Sequence, residues 1–596
     1  MQTEIKKLIK DALKNLSIEV SDFVLEHPED LKNGDYSTNV ALAIAQSIEK
    51  NPKELAEKII IEILRLNVDK NIEKVEIAGA GFINFYLSRK FFAKSVEKIV
   101  NQGETVGQNN ILTGKEIMVE YTDPNPFKPI HIGHLMTNAI GESIARILEH
   151  SGAQVFRANY QGDVGLHVAK AIFGLLKHEK LQDKSGTYTL QAGNIGRAYA
   201  LGAEAYEKDE QAKKEIDEIN KKIYQRSDEK INEIYGWGFE VTMQAFEDLY
   251  KILGTKFDFY FLESVMAEVG EEIVLNNKGK NLPAGRQVFE ESDGAVVFRA
   301  EKHNPKLHTR VFLTSAGLPT YETKELGLAE EKFKTKPDMN LSMTVTANEQ
   351  AEYMRVVMQA IALLNNEHAR KMKHITHGMM RLARRATAKG FASGKMGSRK
   401  GNVITGETLL SDARLAIEQK MSAKGGSAPG GQEEFSEEER EQVVTDVSVS
   451  AIKYAILKQA IGSDIIFDFE KSISFEGDSG PYLCYSYARA NSVLEKAQKE
   501  NILPDPHAFP AEIFEVEKLL YQFPEIVQRS ASEYEPHYLT HYLIEVARAY
   551  NSFYGNTQIV KKEDKISAYK ITLTYAFSFV MKTGLRLLGI QAPKKM

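Results

Sequence analysis

Residues 115–157 read KEIMVEYTDPNPFKPIHIGHLMTNAIGESIARILEHSGAQVFR. Ile117, Met118 and Val119 form a short apolar run of the kind that buries as a strand, and the turn Asp123-Pro124-Asn125-Pro126 follows it. A helical stretch then runs from about His131 to His150 and closes at Gly152, a residue type suited to a helix C-terminus. A second short apolar piece, 154–157, completes strand, helix, strand in roughly forty residues, which is a βαβ unit and predicts a parallel sheet. Ligands of such sheets bind at the carboxyl ends of the strands, where a helix N-terminus offers free N–H groups to an anion. His131 and His134, three apart, lie on one helical face at that terminus. Gly133 between them removes a side chain, so that a flat or phosphorylated ligand can approach the backbone. Imidazoles there can donate to a phosphate that gains charge in a transition state. Two other readings of the pair stay open: metal ligands, although no third ligand is obvious nearby, and incidental surface residues.

Upstream, residues 1–105 read as a small mixed α+β module. Ile5, Leu8, Ile9 and Leu13 recur at helical spacing, Val40, Ala41, Leu42 and Ile44 mark a second helical stretch, and IAGAGFINFYL (77–87) suits a strand with a tight bend. Residues 195–250 are densely charged at helical spacing and read as a helical insertion with a solvated face. NNKGKNLPAGRQ (276–287) reads as a surface insertion and SAKGGSAPGGQEEFSEEE (422–439) as a linker. Beyond it the chain is helix-patterned, with Tyr and Phe spread along it.

The chain has 596 residues, 43% hydrophobic and 27% charged, an ordinary globular balance with length for about four domains. A single cysteine, Cys484, excludes an intramolecular disulfide and any multi-cysteine zinc site. The opening MQTEIKKLIKDALKNL is charged and amphipathic without the apolar core of a signal peptide, and no apolar run approaches a membrane span. The expectation is a reducing, cytoplasmic setting. The net charge of −6 does not announce a nucleic-acid partner, so such a partner would be held by local patches.

One such patch is Gly394-Lys395-Met396-Gly397-Ser398-Arg399-Lys400-Gly401-Asn402, a basic glycine-rich stretch whose lysines can close on a polyphosphate as point charges. Alone it reads better as a solvated loop; paired in order with the histidine motif it does not. HIGH followed at long range by a KMSKS-like loop resembles a class I aminoacyl-tRNA synthetase. The finer match, running end to end, is to the arginyl-tRNA synthetase family: GDYSTNVALAIA and GAGFINFYL resemble its additional N-terminal domain, PNPFKPIHIGHL and NYQGDVGLH (159–167) its active-site strand and helix, YETKELGL (321–328) and NEQAEYM (348–354) its substrate-binding segments, and FEGDSGPYLCYSYARA (475–490) with Met596 its anticodon-binding domain.

The resemblance implies a Rossmann-like α/β catalytic domain with helical insertions, a small α+β N-terminal domain and an all-α C-terminal anticodon-binding domain. The expected boundaries are 1–105, 106–421, a linker at 422–440, and 441–596. It implies ATP-dependent ligation of L-arginine to tRNA(Arg) through an arginyl-adenylate, with Mg2+ accompanying ATP, no structural zinc, no membrane partner, and a monomer. The implied catalytic residues are His131, His134, Lys395 and Lys400, with Lys128, Gly133, Gly378, Met396 and Ser398 at ATP. Arginine would meet Asn125, Glu263, Tyr321, Glu325 and Gln350, since a guanidinium with five planar donors wants carboxylates and neutral oxygen acceptors. Tyr482, Tyr485, Arg489, Tyr550, Tyr554 and Met596 would contact tRNA, the tyrosines by stacking on unpaired bases, although a helical bundle also buries such rings in its own core.

Three departures stand out. The second loop lysine of the family is Ser398, Glu325 stands where the family commonly has Asp, and the basic run at 381–393 is longer than expected. A cysteinyl-tRNA synthetase is disfavoured because one cysteine cannot supply its zinc ligands. A small nucleotidylyltransferase leaves the helical tail unexplained, and a synthetase-like RNA-binding protein that has lost catalysis is opposed by intact His131, His134 and Lys395.

Overall fold

A computed structural model describes residues 1–66, 70–279, 288–382, 405–423 and 435–596. The chain forms two compact units: Met1–Val106 with Arg489–Pro524 and Glu545–Thr583, and Gly107–Ala488 with Glu525–Ile544 and Gly584–Met596. The helical tail that the sequence presents as one stretch is thus shared between them. No helix of the described residues is long and apolar enough to cross a membrane.

The first unit begins with α1 (Gln2–Asn15), β1 (Tyr36–Thr38), α2 (Val40–Ala45), α3 (Pro52–Arg65), β2 (Ile72–Ala78), β3 (Phe82–Leu87) and α4 (Arg89–Gln102). The strands form an antiparallel sheet in the order β1-β3-β2. The stretch 77–87 is a hairpin rather than one bent strand: Gly79 (φ +55°) and Gly81 (φ +133°) make the turn, in a region open mainly to glycine. Asn51 caps α3 by accepting from the Lys53 and Glu54 N–H groups, with Pro52 at the first helical position. Ile5, Ile9 and Leu13 close over Tyr36, Phe85 and Phe92, and Tyr521 completes that core. Arg89 opens α4 and donates to Pro510 O (2.9 Å), Glu517 Oε1 (2.8 Å) and the Tyr569 hydroxyl (2.8 Å). The Glu517 side chain is fully buried, and Arg89 is its cationic partner among the described residues.

In the second unit the chain runs through β4 (Glu116–Glu120), α5 (Ile132–His150), β5 (Gln154–Gln161) and α6 (Leu166–Lys177). It continues through α7 (Tyr188–Lys208), α8 (Glu210–Gln225), α9 (Glu229–Leu253), β6 (Phe259–Leu262) and α10 (Glu263–Asn277). Then come the antiparallel strands β7 (Glu290–Ser292), β8 (Ala295–Arg299) and β9 (Thr309–Leu313). They are followed by α11 (Tyr321–Thr335), β10 (Leu341–Ala347), α12 (Ala351–Leu364), β11 (Met372–His377), β12 (Met380–Leu382) and, much later, β13 (Ile465–Phe467). The main sheet has the order β11-β10-β4-β5-β6, every pair parallel. Chain order reverses between β4 and β10, the place where ligands bind in open α/β sheets. The expected βαβ unit is β4-α5-β5.

α5 is buried on nearly every side, from Ile132 and Leu135 to Leu148 and His150. Gly141 makes this possible, because a Cβ there would meet Tyr121 Cγ at 2.3 Å. On α5 itself, Glu142 is buried and bonded to Arg146 (2.6 Å), Arg157 (3.2 Å) and the Tyr121 hydroxyl.

The charged insertion is more than a solvated face. Ile216, Ile219 and Ile223 of α8 are buried with Ile195, Ala198, Val168 and Phe127. Gly238 of α9 admits the Phe127 ring, which a Cβ would meet at 2.3 Å. The insertion therefore holds the turn that precedes the paired histidines. Segment 280–287 lies outside the described residues.

Replacing Arg89 by Met leaves the Glu517 carboxylate buried without its partner. The expected cost is about 3 kcal/mol, seen as an earlier midpoint in urea unfolding of the full chain.

Candidate active site

The turn from β4 into α5 has an unusual backbone. Thr122 (φ +77°), Asp123 (φ +45°) and Phe127 (φ +66°) all occupy the left-handed region. Neighbours hold it there: Asp123 Oδ1 accepts from Tyr160 N (2.8 Å), and Asn138 donates to the Thr122 hydroxyl (3.1 Å).

At the start of α5 the two histidines cap the helix reciprocally. His131 Nδ1 accepts from Gly133 N (3.1 Å), and His134 Nδ1 accepts from His131 N (3.2 Å). Their rings stack with centroids 3.7 Å apart. Burial, with Lys128 nearby, pushes His131 down to about 4, and burial, with His131 beside it, holds His134 well below the ordinary imidazole range. Both rings are therefore neutral at pH 7. Because each Nδ1 accepts, the proton of each neutral ring sits on Nε2, leaving two N–H donors beside the helix N-terminus. The space over Gly133 is filled by the His131 ring, whose Cε1 a Cβ would meet at 2.9 Å. Gly133 thus seats His131 rather than opening a path to the backbone.

Thr405 forms a bridge with His131, and Gly406 N donates to Ile130 O (2.7 Å). The chain just downstream of the basic motif thus returns to this turn. Lys395, Met396, Ser398 and Lys400 lie outside the described residues. Lys128 is half-buried, with its Nζ 5.2 Å from the Tyr199 ring centre, and burial lowers its pKa to about 8. Gly378 follows β11; a Cβ there would meet Ser463 O at 2.4 Å, so glycine admits the backbone of Ser463 and Asp464 just before β13.

Across the sheet ends, Asn125 and Glu263 converge on Gly162, where a Cβ would meet Asn125 Oδ1 at 2.0 Å and Glu263 Oε2 at 3.2 Å. His167 Nε2 lies 2.8 Å from Gly162 O and fixes that floor. Asp163 is held by the Tyr235 hydroxyl (2.9 Å) and by Ser264 N (2.9 Å) and Oγ (2.7 Å). Glu263 is paired with the buried ammonium of Lys324. Glu325 sits one turn along α11 from Tyr321 and accepts from the Tyr353 hydroxyl (3.3 Å), which also lies 3.2 Å from Gln350 Oε1. Burial, reinforced by the charge of Glu120 and relieved by Lys332, raises Glu325 to about 8. Tyr321 itself is 70% exposed, with Lys324 over its ring, and Gln350 is exposed. The structure therefore brings Asn125, Glu263, Glu325 and the histidine turn to one end of the sheet, with Tyr321 and Gln350 at its rim. Sequence reading missed Lys324, Tyr353, Asp163 and His167. The last two lie in the polar stretch 159–167, whose density of hydrogen-bonding residues after a strand was the available signal.

Of the residues proposed for RNA, Tyr482 and Tyr485 are half-buried. Tyr485 and Met596 pack on the cluster of Val443, Val447 and Phe475. Arg489 bonds Asn551 (2.5 Å) and lies over the Tyr554 ring, which is 39% exposed. Tyr550 is a correction: its ring is fully buried and stacked on Phe577 at 3.8 Å, so it offers no face to a base.

A parallel sheet with a reversal at β4/β10, and a paired-imidazole helix start at that reversal, define a class I aminoacyl-tRNA synthetase. The family model "tRNA synthetases class I (R), catalytic domain" matches residues 95–469. "Arginyl tRNA synthetase N terminal domain" matches 3–87, and "DALR anticodon binding domain" matches 483–596. The chain belongs to the arginyl-tRNA synthetase family. Similar proteins include the arginine–tRNA ligases of Clostridium beijerinckii (29% identical, covering 100% of both chains) and Lactococcus lactis subsp. cremoris (30% identical, covering 99% of this chain and 100% of the relative). The fold is shared with the Thermus thermophilus arginyl-tRNA synthetase (TM-score 0.77, 24% identity, 100% of both chains) and with that of Plasmodium falciparum (TM-score 0.75, 21% identity, 100% of this chain and 99% of that one).

Two outcomes follow from the geometry. Ionised Glu325 is the form that would pair with a guanidinium at this place, so arginine affinity is expected to rise roughly tenfold per pH unit toward pH 8 and level off above it, as read by calorimetry across pH 6–9. Gly133→Ala displaces the His131 ring and is expected to lower kcat by at least tenfold with little change in the thermal midpoint, measured side by side with the unsubstituted enzyme.

Proposed function

We propose that the chain ligates L-arginine to tRNA(Arg) in two steps. The arginine carboxylate attacks the α-phosphate of ATP, forming arginyl-adenylate and releasing pyrophosphate. The terminal ribose hydroxyl of tRNA then takes the arginyl group and releases AMP. The observation that carries this reading is the pair of neutral imidazoles at the start of α5, each with its Nε2–H free of the capping bonds. Donors fixed before the reaction stabilise charge as it develops, without reorganising. Mg2+ enters with ATP as part of the substrate. Lys128 adds charge at the polyphosphate, and Lys395 and Lys400 are assigned there from sequence.

On the amino-acid side, Asn125 takes the α-amino and carboxylate end, while Glu325 and Glu263 face the guanidinium. The α11 backbone seats the longer Glu325 in place of the family's aspartate, where Tyr353 orients it. Tyr482, Tyr485, Arg489, Tyr554 and Met596 contact tRNA in this reading, and Tyr550 does not. The chain works in the cytoplasm, where its substrates are, and as a monomer.

The test is ATP–pyrophosphate exchange with tRNA(Arg) present. Exchange with arginine, and none with lysine or glutamine, is expected; the reverse pattern sinks the assignment. His134→Ala is expected to lower kcat for exchange by roughly 10²-fold or more, and unchanged arginylation in that variant would return the chain to the class of RNA-binding proteins without catalysis.

A further inference from the structure

Along β5, Asn159 donates to Tyr121 O (3.1 Å) and to its own strand neighbour Gln161 it offers an acceptor. Tyr160 points to the opposite face, as alternation along a strand requires. Its ring packs against a cluster that includes Met266 and Leu328, each three residues beyond a carboxylate, Glu263 on α10 and Glu325 on α11. Burial comes first among the causes that hold the phenol well above its usual range, followed by Glu263, Glu325 and Glu120. The hydroxyl is thus protonated at every working pH. It is also buried and has no hydrogen-bond partner among the described residues, although buried polar groups are almost always satisfied.

The groups facing this hydroxyl define what would satisfy it. They are carboxylates from three elements and the Tyr353 phenol, with Lys324 already seated on Glu263. An anion is excluded by that company. An apolar group would leave the hydroxyl unpaired. A planar cation with several N–H groups suits it: the phenol oxygen accepts one N–H while its own proton turns to a neighbouring carboxylate.

We propose that Tyr160 is a specificity-determining residue of the amino-acid site, its hydroxyl accepting an N–H of the substrate guanidinium. The assignment rests on the reading of this pocket as the arginine site. An ammonium has three donors around one nitrogen and cannot reach Tyr160, Glu263 and Glu325 in one plane as a guanidinium fork can. Binding lysine would leave the buried phenol unpaired, and sites with unpaired buried groups reject the wrong substrate strongly.

Tyr160→Phe, made in the full chain, removes the hydroxyl and keeps the ring. Arginine Kd from calorimetry is expected to rise by roughly 10- to 100-fold, and arginine KM in tRNA-dependent exchange to rise with it. The KM for ATP should not move. The thermal midpoint should stay or rise, since an unpaired buried group has been removed. Preference for arginine over lysine should narrow. Unchanged arginine affinity overturns the proposal and assigns the hydroxyl to solvent. A lowered midpoint or a failure to fold also overturns it, by making the hydroxyl structural. If the unsubstituted chain binds no arginine, the reading of the pocket fails instead, and that outcome is separate from any effect of Y160F.

Discussion

The N-terminus of a long buried helix leaves backbone N–H groups that must be met by something. In this chain two imidazoles meet them, each through Nδ1. That choice fixes the rest of the site. It sets the tautomer, keeps both rings uncharged in a buried position, and turns two Nε2–H groups toward the ligand side of the sheet. An aspartate cap would satisfy the same backbone groups and leave no donor over. The helix behind is buried on nearly every side, which Gly141 allows by letting Tyr121 pack against its axis, so the caps stand on an element with little freedom to shift.

Charge is handled differently on the two sides of the sheet ends. On the histidine side the ionisable rings are neutral and Lys128 supplies the cation among the described residues. On the amino-acid side carboxyls accumulate: Glu120 is paired with Lys332, Glu263 with Lys324, and Glu325 is held by a phenol. Opposite potentials only a few residues apart orient a zwitterionic, cationic substrate toward a polyanionic one before any contact is made. With Glu263 already paired to Lys324, a guanidinium arriving there would join an occupied carboxylate, and part of its binding energy would go to rearranging that pair.

Much of this was legible in the sequence, for definite reasons. β4, α5 and β5 follow from an apolar run, a helical period and a closing glycine at Gly152, whose φ is +96°. The histidine pair and its place at a strand-to-helix turn follow from spacing alone. What escaped was set by three-dimensional partners. Lys324 lies in TKELGLAEEKFK, where charges at helical spacing look solvated, yet it is buried because β6 and α10 bring Glu263 over it. Ile216, Ile219 and Ile223 were outvoted by the charges between them, although their own period marks a buried face. Tyr550 and Tyr554 share one helical spacing but not one fate, because Phe577 covers only the first. Composition could not separate them.

The left-handed turn at Thr122, Asp123 and Phe127 carries a consequence for how this protein can change over generations. Each such residue stores on the order of 1–3 kcal/mol of conformational strain, and a β-branched residue such as Thr122 is among the least suited to it. Glycine at that position would be the easy route to a more stable chain. It would also slacken the segment that aims Asn125 and the histidines. The turn is therefore a place where selection for robustness and selection for turnover pull apart, and its awkward residues are a record of which one prevailed.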